Sequence, residues 1–271
     1  MPTGVRRHWV DTLREQFGAS VALCCDSVGL SRSAYYYRAK KSDDSAIESA
    51  LLELVRRSPR WGFPKCVKRL RALGKRWNHK RIYRVYTGLK LNMRKRPKRR
   101  VPPRHPLPLR VPASMNVSWS LDFMSDVLEH GHRFRTFNVA DDFNREVLGI
   151  DVNSGITSER VIQMLDRIAV WRGYPQRVRV DNGPEFQSIT FADWAKENGV
   201  QIDFIEPGKP YQNAYIERLN RTYREDVLDL YSFANLDEVR QTTDDWIELY
   251  NCERPHDALN DMTPEQYRLT N

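Results

Sequence analysis

A chain of 271 residues with 40% hydrophobic side chains can bury one large core or two modest ones, and 44 Lys/Arg against 35 Asp/Glu give a formal charge of +9. The charge is split: residues 1–113 hold 28 basic and 7 acidic side chains, whereas residues 114–271 hold 16 and 28. No stretch approaches the ~18 apolar residues of a membrane span, and Cys24, Cys25, Cys66 and Cys252 have neither metal-binding nor disulfide spacing, so a soluble protein of a reducing, cytoplasmic compartment is expected, with no membrane partner.

In chain order, Val21 to Cys25 reads as a short apolar helix. Gly29 permits a turn and Ser31 can cap a second helix through Tyr37, the loose outline of a helix-turn-helix or of an ordinary helical hairpin. Ile47, Leu51, Leu54 and Val55 form a helical stripe that Pro59 and Gly62 interrupt. A further helix runs from about Pro64 to a stop at Gly74. Another is capped by Asn78 and buries Ile82, Val85 and Tyr86 while Lys80, Arg81 and Arg84 face outward. Residues 1–93 are therefore expected as a helical, basic, DNA-binding region. Arg94 to Arg100 is cationic, and five prolines from Pro102 to Pro112 make residues 94–114 an extended linker suited to salt-sensitive backbone contact.

From residue 115 to 271 the pattern changes to mixed strands and helices. Strands are expected over 117–124, 133–140 and 146–152, joined by turns at Gly131 and at 142–145 as an antiparallel meander. A helix over 158–171, a strand over 177–180, a helix over 191–198, a strand over 200–205 and a helix from about Asn213 follow. That order is an α/β ribonuclease H-like core: a mixed five-stranded sheet with flanking helices, preceded by a small all-α basic region.

Three carboxylates stand out. Asp122 lies on the first strand between Leu121 and Phe123, Asp181 ends the fourth, and Glu217 follows on a helix. A buried aspartate in an apolar frame is costly unless paired or metal-bound. Three such groups brought together can hold two divalent cations, which activate a hydroxyl and stabilise a leaving oxygen in phosphodiester chemistry. Asp126, Asp141, Asp142 and Glu185 are expected as turn or surface carboxylates, and His130 and His132 as an exposed hairpin tip. Lys209, Arg218 and Arg221 are candidate DNA-backbone contacts, with plain surface solvation as the alternative.

The segments Asp181-Asn182-Gly183-Pro184-Glu185-Phe186, Pro207 to Arg224 and Tyr250 to Leu259 resemble the second-frame product, OrfB, of insertion-sequence family three transposases. The resemblance covers nearly the whole chain. It implies a DDE transposase with a retroviral-integrase-like core, catalysing DNA 3′-end cleavage and strand transfer. Asp122, Asp181 and Glu217 occupy its catalytic, metal-holding positions, with 35 residues between the last two. Two Mg²⁺ or Mn²⁺ ions are implied as cofactors. The implied partners are element-end and target DNA, the OrfA product or an OrfAB fusion, and further copies of the chain on DNA, at the nucleoid of a bacterium. Arg224 falls where such enzymes carry a basic residue, two helical turns beyond Glu217 and so on its face. Arg254 and His256 match the family motif and are expected to dock the C-terminal segment. The competing readings are a nuclease that does not join strands and a non-catalytic DNA-binding regulator.

Overall fold

The computed structural model describes residues 1–38, 43–93, 111–206 and 210–270. The chain forms two compact units, residues 1–46 and 47–271. In the first, α1 (Thr3–Phe17), α2 (Val21–Val28) and α3 (Arg32–Tyr36) enclose Val10, Cys24, Cys25, Leu30 and Tyr35. Ser20 and Ser31 cap α2 and α3 by accepting from the N–H groups of Leu23 (3.3 Å) and Ala34 (3.2 Å). Gly29 turns the chain between them at φ +65°, a backbone conformation that favours glycine. Helix α1 was not anticipated: its charged residues dilute the apolar stripe and Pro2 offers no capping side chain.

In the second unit, α4 (Ser45–Arg57), α5 (Phe63–Ala72) and α6 (His79–Gly88) surround Ile47, Leu51, Trp61, Leu70, Ile82 and Tyr86. The Asn78 cap is present, its side chain accepting from Lys80 N–H at 2.8 Å. These helices group with the sheet that follows, so the region expected as residues 1–93 does not part from the rest at its far end. The expected linker 94–114 lies outside the described residues as far as residue 110.

The sheet contains β1 (Ser118–Val127), β2 (Arg133–Asp141), β3 (Val147–Asn153), β4 (Arg177–Val180) and β5 (Gln201–Phe204), in the order β3-β2-β1-β4-β5. The first three strands form the expected antiparallel meander, and β4 and β5 add in parallel on the other side of β1. Alternation along the strands divides the core in two. Trp119, Leu121, Val139, Val178 and Val180 face α7 (Ser158–Arg172) and α8 (Ile189–Glu197). Met124, Phe134, Ala140, Ile150 and Val152 face α9 (Ala214–Tyr223) and α10 (Leu236–Cys252). A π-helical turn, Arg224–Leu228, leaves α9, and α11 (Pro264–Thr270) closes the described chain. This is the ribonuclease H-like fold.

Candidate catalytic carboxylate site

Asp122 shares the strand parity of Ser118, Ser120 and Met124, so its side chain leaves the sheet on the α9 face. Its strand pairs in parallel with β4, Ser118 with Arg177 and Ser120 with Arg179. Carried two residues further, that register brings Asp181, the first residue past β4, level with Asp122. On α9, Ile216, Leu219 and Tyr223 are buried against the sheet, while Glu217 is exposed and lies one turn before Asn220. Asn220 Nδ2 donates to Asp122 Oδ2 at 2.6 Å, so the turn carrying Glu217 is brought to the same carboxylate. Asn138, opposite Asp122 on β2, in turn donates from Nδ2 to Asn220 Oδ1 at 2.7 Å.

The remaining bond to Asp122 comes from Phe123 N–H, at 2.8 Å to Oδ1. Its hydrogen-bond partners are thus neutral, and the neighbouring charges that act on it are negative. Burial pushes Asp122 up to about 6, the carboxylates of Asp181 and Glu217 add to the effect, and the two neutral donors oppose it. Asp181 Oδ1 accepts from Gly183 N–H at 3.0 Å, closing an Asx turn. A Cβ at Gly183 would lie 3.0 Å from Asp181 Oδ1 and 3.2 Å from Glu185 Oε2, so the turn leaves little room for a side chain there.

Phe186, 1% exposed, anchors this turn against Phe123 and Phe191, and Asn182 Nδ2 ties it to Ile205 O at 3.0 Å. Glu185 is half-buried: it pairs with Arg135, whose guanidinium lies 4.4 Å over the Phe123 ring. Among the described residues, no three His, Cys, Asp or Glu side chains are drawn closely enough together to hold an ion as they stand. The donor chemistry nevertheless fits a hard divalent cation: the carboxylates repel one another and supply only oxygen ligands.

Lys209 lies outside the described residues. Arg218 and Arg221 project from the exposed side of α9 and, with Glu217, line a cavity of about 550 Å³. Arg224 is turned toward β1, where it donates to Ser125 O at 2.9 Å and to Asp126 Oδ2 at 3.1 Å. The α-helical geometry ends at Tyr223, so the two-turn spacing from Glu217 does not run through a regular helix. Asp126 is accordingly a strand residue in an ion pair.

Asp141 and Asp142 correct the surface expectation, being 1% and 0% exposed. Asp142 accepts from Ser118 Oγ (2.8 Å), Ser120 Oγ (2.5 Å) and Arg179 (2.9 Å). Asp141 accepts from the N–H groups of Asn116 (3.0 Å) and Phe143 (2.9 Å) and lies 3.5 Å from Arg172. Burial raises the pKa of both. His130 and His132 are exposed at the Gly131 hairpin tip, as expected. Arg254 pairs with Asp226 of the π-helical turn, which fits its expected docking role. Asn138 and Asn220 were not foreseen: their only sequence signal is a polar residue at a core-facing position of a strand and of a helix.

A ribonuclease H-like sheet with aspartates on its central strand and at the end of the adjacent one, and a glutamate on the helix crossing them, is the framework of polynucleotidyl transferases. Two matches to the integrase core domain cover residues 112–210 and 198–264. The "Insertion element IS407 uncharacterized 31.7 kDa protein" of Burkholderia multivorans is 39% identical over 95% of this chain and 94% of its own length. The "Insertion element IS476 uncharacterized 39.2 kDa protein" of Xanthomonas euvesicatoria is 36% identical over 97% of this chain and 76% of its own length. The "Transposase for insertion sequence element IS629" of Shigella sonnei is 27% identical over 55% of this chain and 50% of its own length. The chain belongs to the integrase-core DDE transposases of bacterial insertion elements, the insertion-sequence family three. Neither a strand-joining-deficient nuclease nor a non-catalytic regulator is favoured by that membership. Among the described residues, no helix is long and apolar enough to cross a membrane.

Proposed function

We propose that Asp122, Asp181 and Glu217 are the catalytic carboxylates of a transposase that frees a 3′-hydroxyl at an element end and joins it to a second DNA strand. The observations that support this reading are the β1–β4 register, which continued past β4 brings Asp181 level with Asp122, and the Asn220 bond, which brings the α9 turn of Glu217 to the same carboxylate. The same three side chains would hold two Mg²⁺ or Mn²⁺ ions. Bound there, such ions supply an activated water or hydroxyl and charge neutralisation at the departing oxygen.

The protein's own contribution is placement. Asn138 and Asn220 fix the Asp122 carboxylate, the Asx turn fixes Asp181, and the packed face of α9 sets where Glu217 stands. Arg218 and Arg221 flank Glu217 and would take the DNA backbone, with Lys209 and Arg224 as further contacts. DNA, an OrfA product and further copies of the chain are the proposed partners.

Linear DNA carrying the element ends, supplied both uncut and precut and with the OrfA product, tests this directly. Wild-type chain should join the precut 3′ end to a target strand. Asp181→Asn should abolish cleavage and joining while leaving DNA binding largely intact. Cleavage without joining by the wild type, or joining by the Asn variant, would overturn the assignment.

A further inference from the structure

The cavity of about 550 Å³ that Glu217 borders is also lined by the first turn of α5 and the segment after α10. Cationic side chains outnumber carboxylates in its lining by five to three, so its interior is positive. Lys65 comes from α5, Arg218 from α9 and Arg254 from the segment after α10. Helix α5 brings no acidic residue in its first turn to balance Lys65. Lys65 and Arg218 have no ion-pair partner among the described residues, whereas Arg254 is held by Asp226. Two of the three carboxylates are already engaged: Asp141 lies 3.5 Å from Arg172, and Asp257 pairs with Lys68.

Two side chains register this excess of positive charge. Lys65 is pushed down to about 8, chiefly by burial and then by repulsion from Arg254, with Arg218 adding to it. Asp226 and Asp257 oppose that shift, but Arg254 and Lys68 already engage them. His256 is pushed down to about 3, by burial and then by Arg254 and Lys65, so its imidazole is neutral at physiological pH. The aromatic residues of the lining are taken up within the protein. The Arg145 guanidinium covers the Tyr215 ring at 3.4 Å, and Tyr250 is buried. Neither ring therefore offers a stacking wall to a base. Cations that converge without a counter-ion are instead what a phosphate oxyanion pairs with.

We infer that this cavity seats a backbone phosphate of the bound DNA, which pairs with Lys65 of α5 and Arg218 of α9 in the field of Arg254. The inference rests on the proposed function for the identity of the polyanion. Neither Asp122 nor Asp181 is among the described residues that line the cavity. The phosphate held here is therefore not the one at the carboxylates but a second contact of the same DNA. Arg218 and Arg221 reach the cavity from the exposed side of α9, where a polymer can lay one phosphate into it. A phosphate so placed joins α5 to α9 and relieves the repulsion among Lys65, Arg218 and Arg254.

Competitive acetylation by a trace of acetic anhydride in EDTA, quantified at Lys65 by peptide mass spectrometry, reads the neutral amine and no chemistry on DNA. Saturating duplex should slow acetylation of wild-type Lys65 by about tenfold or more, as a paired anion returns its pKa by a unit or more. In Arg218→Gln, with occupancy by the duplex confirmed by fluorescence anisotropy, that protection should largely vanish, and Arg218→Lys should retain it. Independently, Lys65→Gln should lower the slope of log affinity against log salt by about one, the share of one phosphate contact. Sodium phosphate without DNA, at matched ionic strength, distinguishes a free anion from the backbone. Protection by phosphate but not by duplex, no protection by either, full protection in Arg218→Gln, or an unchanged salt slope in Lys65→Gln would each overturn the inference. A chain whose Lys65 is protected but which joins nothing would sink the transfer reading and support this one.

Discussion

Among the described residues Asp122 is held by neutral donors, Phe123 N–H and Asn220 Nδ2, and this gives it a measurable signature. Its carboxyl ordinarily titrates near 3.8 and is pushed up to about 6, first by burial and then by Asp181 and Glu217. The folded chain thus holds this proton more tightly than the unfolded chain. The resulting stability is fully present below the ordinary value and is lost as pH rises through the folded one. Replacing Asp122 with Asn removes the charge. In metal-free protein the variant should gain on the wild type between pH ~4 and ~6, by on the order of 1–3 kcal/mol. Thermal melts in EDTA at the two ends of that range would show it, and a gain independent of pH would contradict it. The three carboxylates stand out in the sequence because each sits in a distinctive local frame. Asn138 and Asn220 were not, since nothing in either segment announces a hydrogen bond across 82 residues of chain. Asp141 and Asp142 misled for a different reason. Asp-Phe-Asn-Arg does form a turn, but Asp142 folds inward onto Ser118 and Ser120 and the preceding Asp141 lies toward Arg172, and Ser-x-Ser on a strand is a weak sign of a buried acceptor.

Elements place the site through packing. The turn that follows β4 owes its position to Phe186, which is buried among Phe123, Phe137 and Phe191. Phe186→Ala should cost about 3–5 kcal/mol of stability. At a temperature where the variant remains folded, joining should fall further than DNA binding, because Asp181 loses its support. Denaturant melts and a joining assay on the same preparation check this, and a folded variant with wild-type joining would contradict it. The succession of strands and helices along the chain was readable from apolar period, since alternation along β1 and the 3.6-residue stripe of α7 each specify a buried face. The π-helical turn after α9 was not, and it is what redirects Arg224 to Ser125 and Asp126. Likewise, Glu253 joins Arg57 (2.8 Å) and Arg69 (3.0 Å), pairings of α4 and α5 with the end of α10 that a segment-by-segment reading does not reveal.

For the whole molecule, the charge division decides how it meets DNA. The basic first 113 residues attract the polyanion, and the acidic remainder repels it except where cations intervene. Binding should therefore be dominated by counterion release. Between 50 and 200 mM salt the affinity for duplex DNA should fall by at least about 10³. A decline of less than about tenfold over the same range would mean that few phosphates are neutralised. The same division explains why the composition pointed to nucleic acid while the location of the compact-unit boundary stayed hidden. Residues 47–93 hold 13 basic and 2 acidic side chains and so read with the basic first 113 residues, but their apolar faces pack in the second unit, where Leu249 of α10 joins their core.

Convergence of three carboxylates on a shared metal site is the central claim, and titration with Mn²⁺, followed by the electron paramagnetic resonance signal of the free ion, tests it most directly. Wild-type chain with DNA should remove about two ions per molecule from solution, and Asp122→Asn, Asp181→Asn and Glu217→Gln should each weaken that uptake. Undiminished Mn²⁺ binding by any one of the three variants would contradict the account.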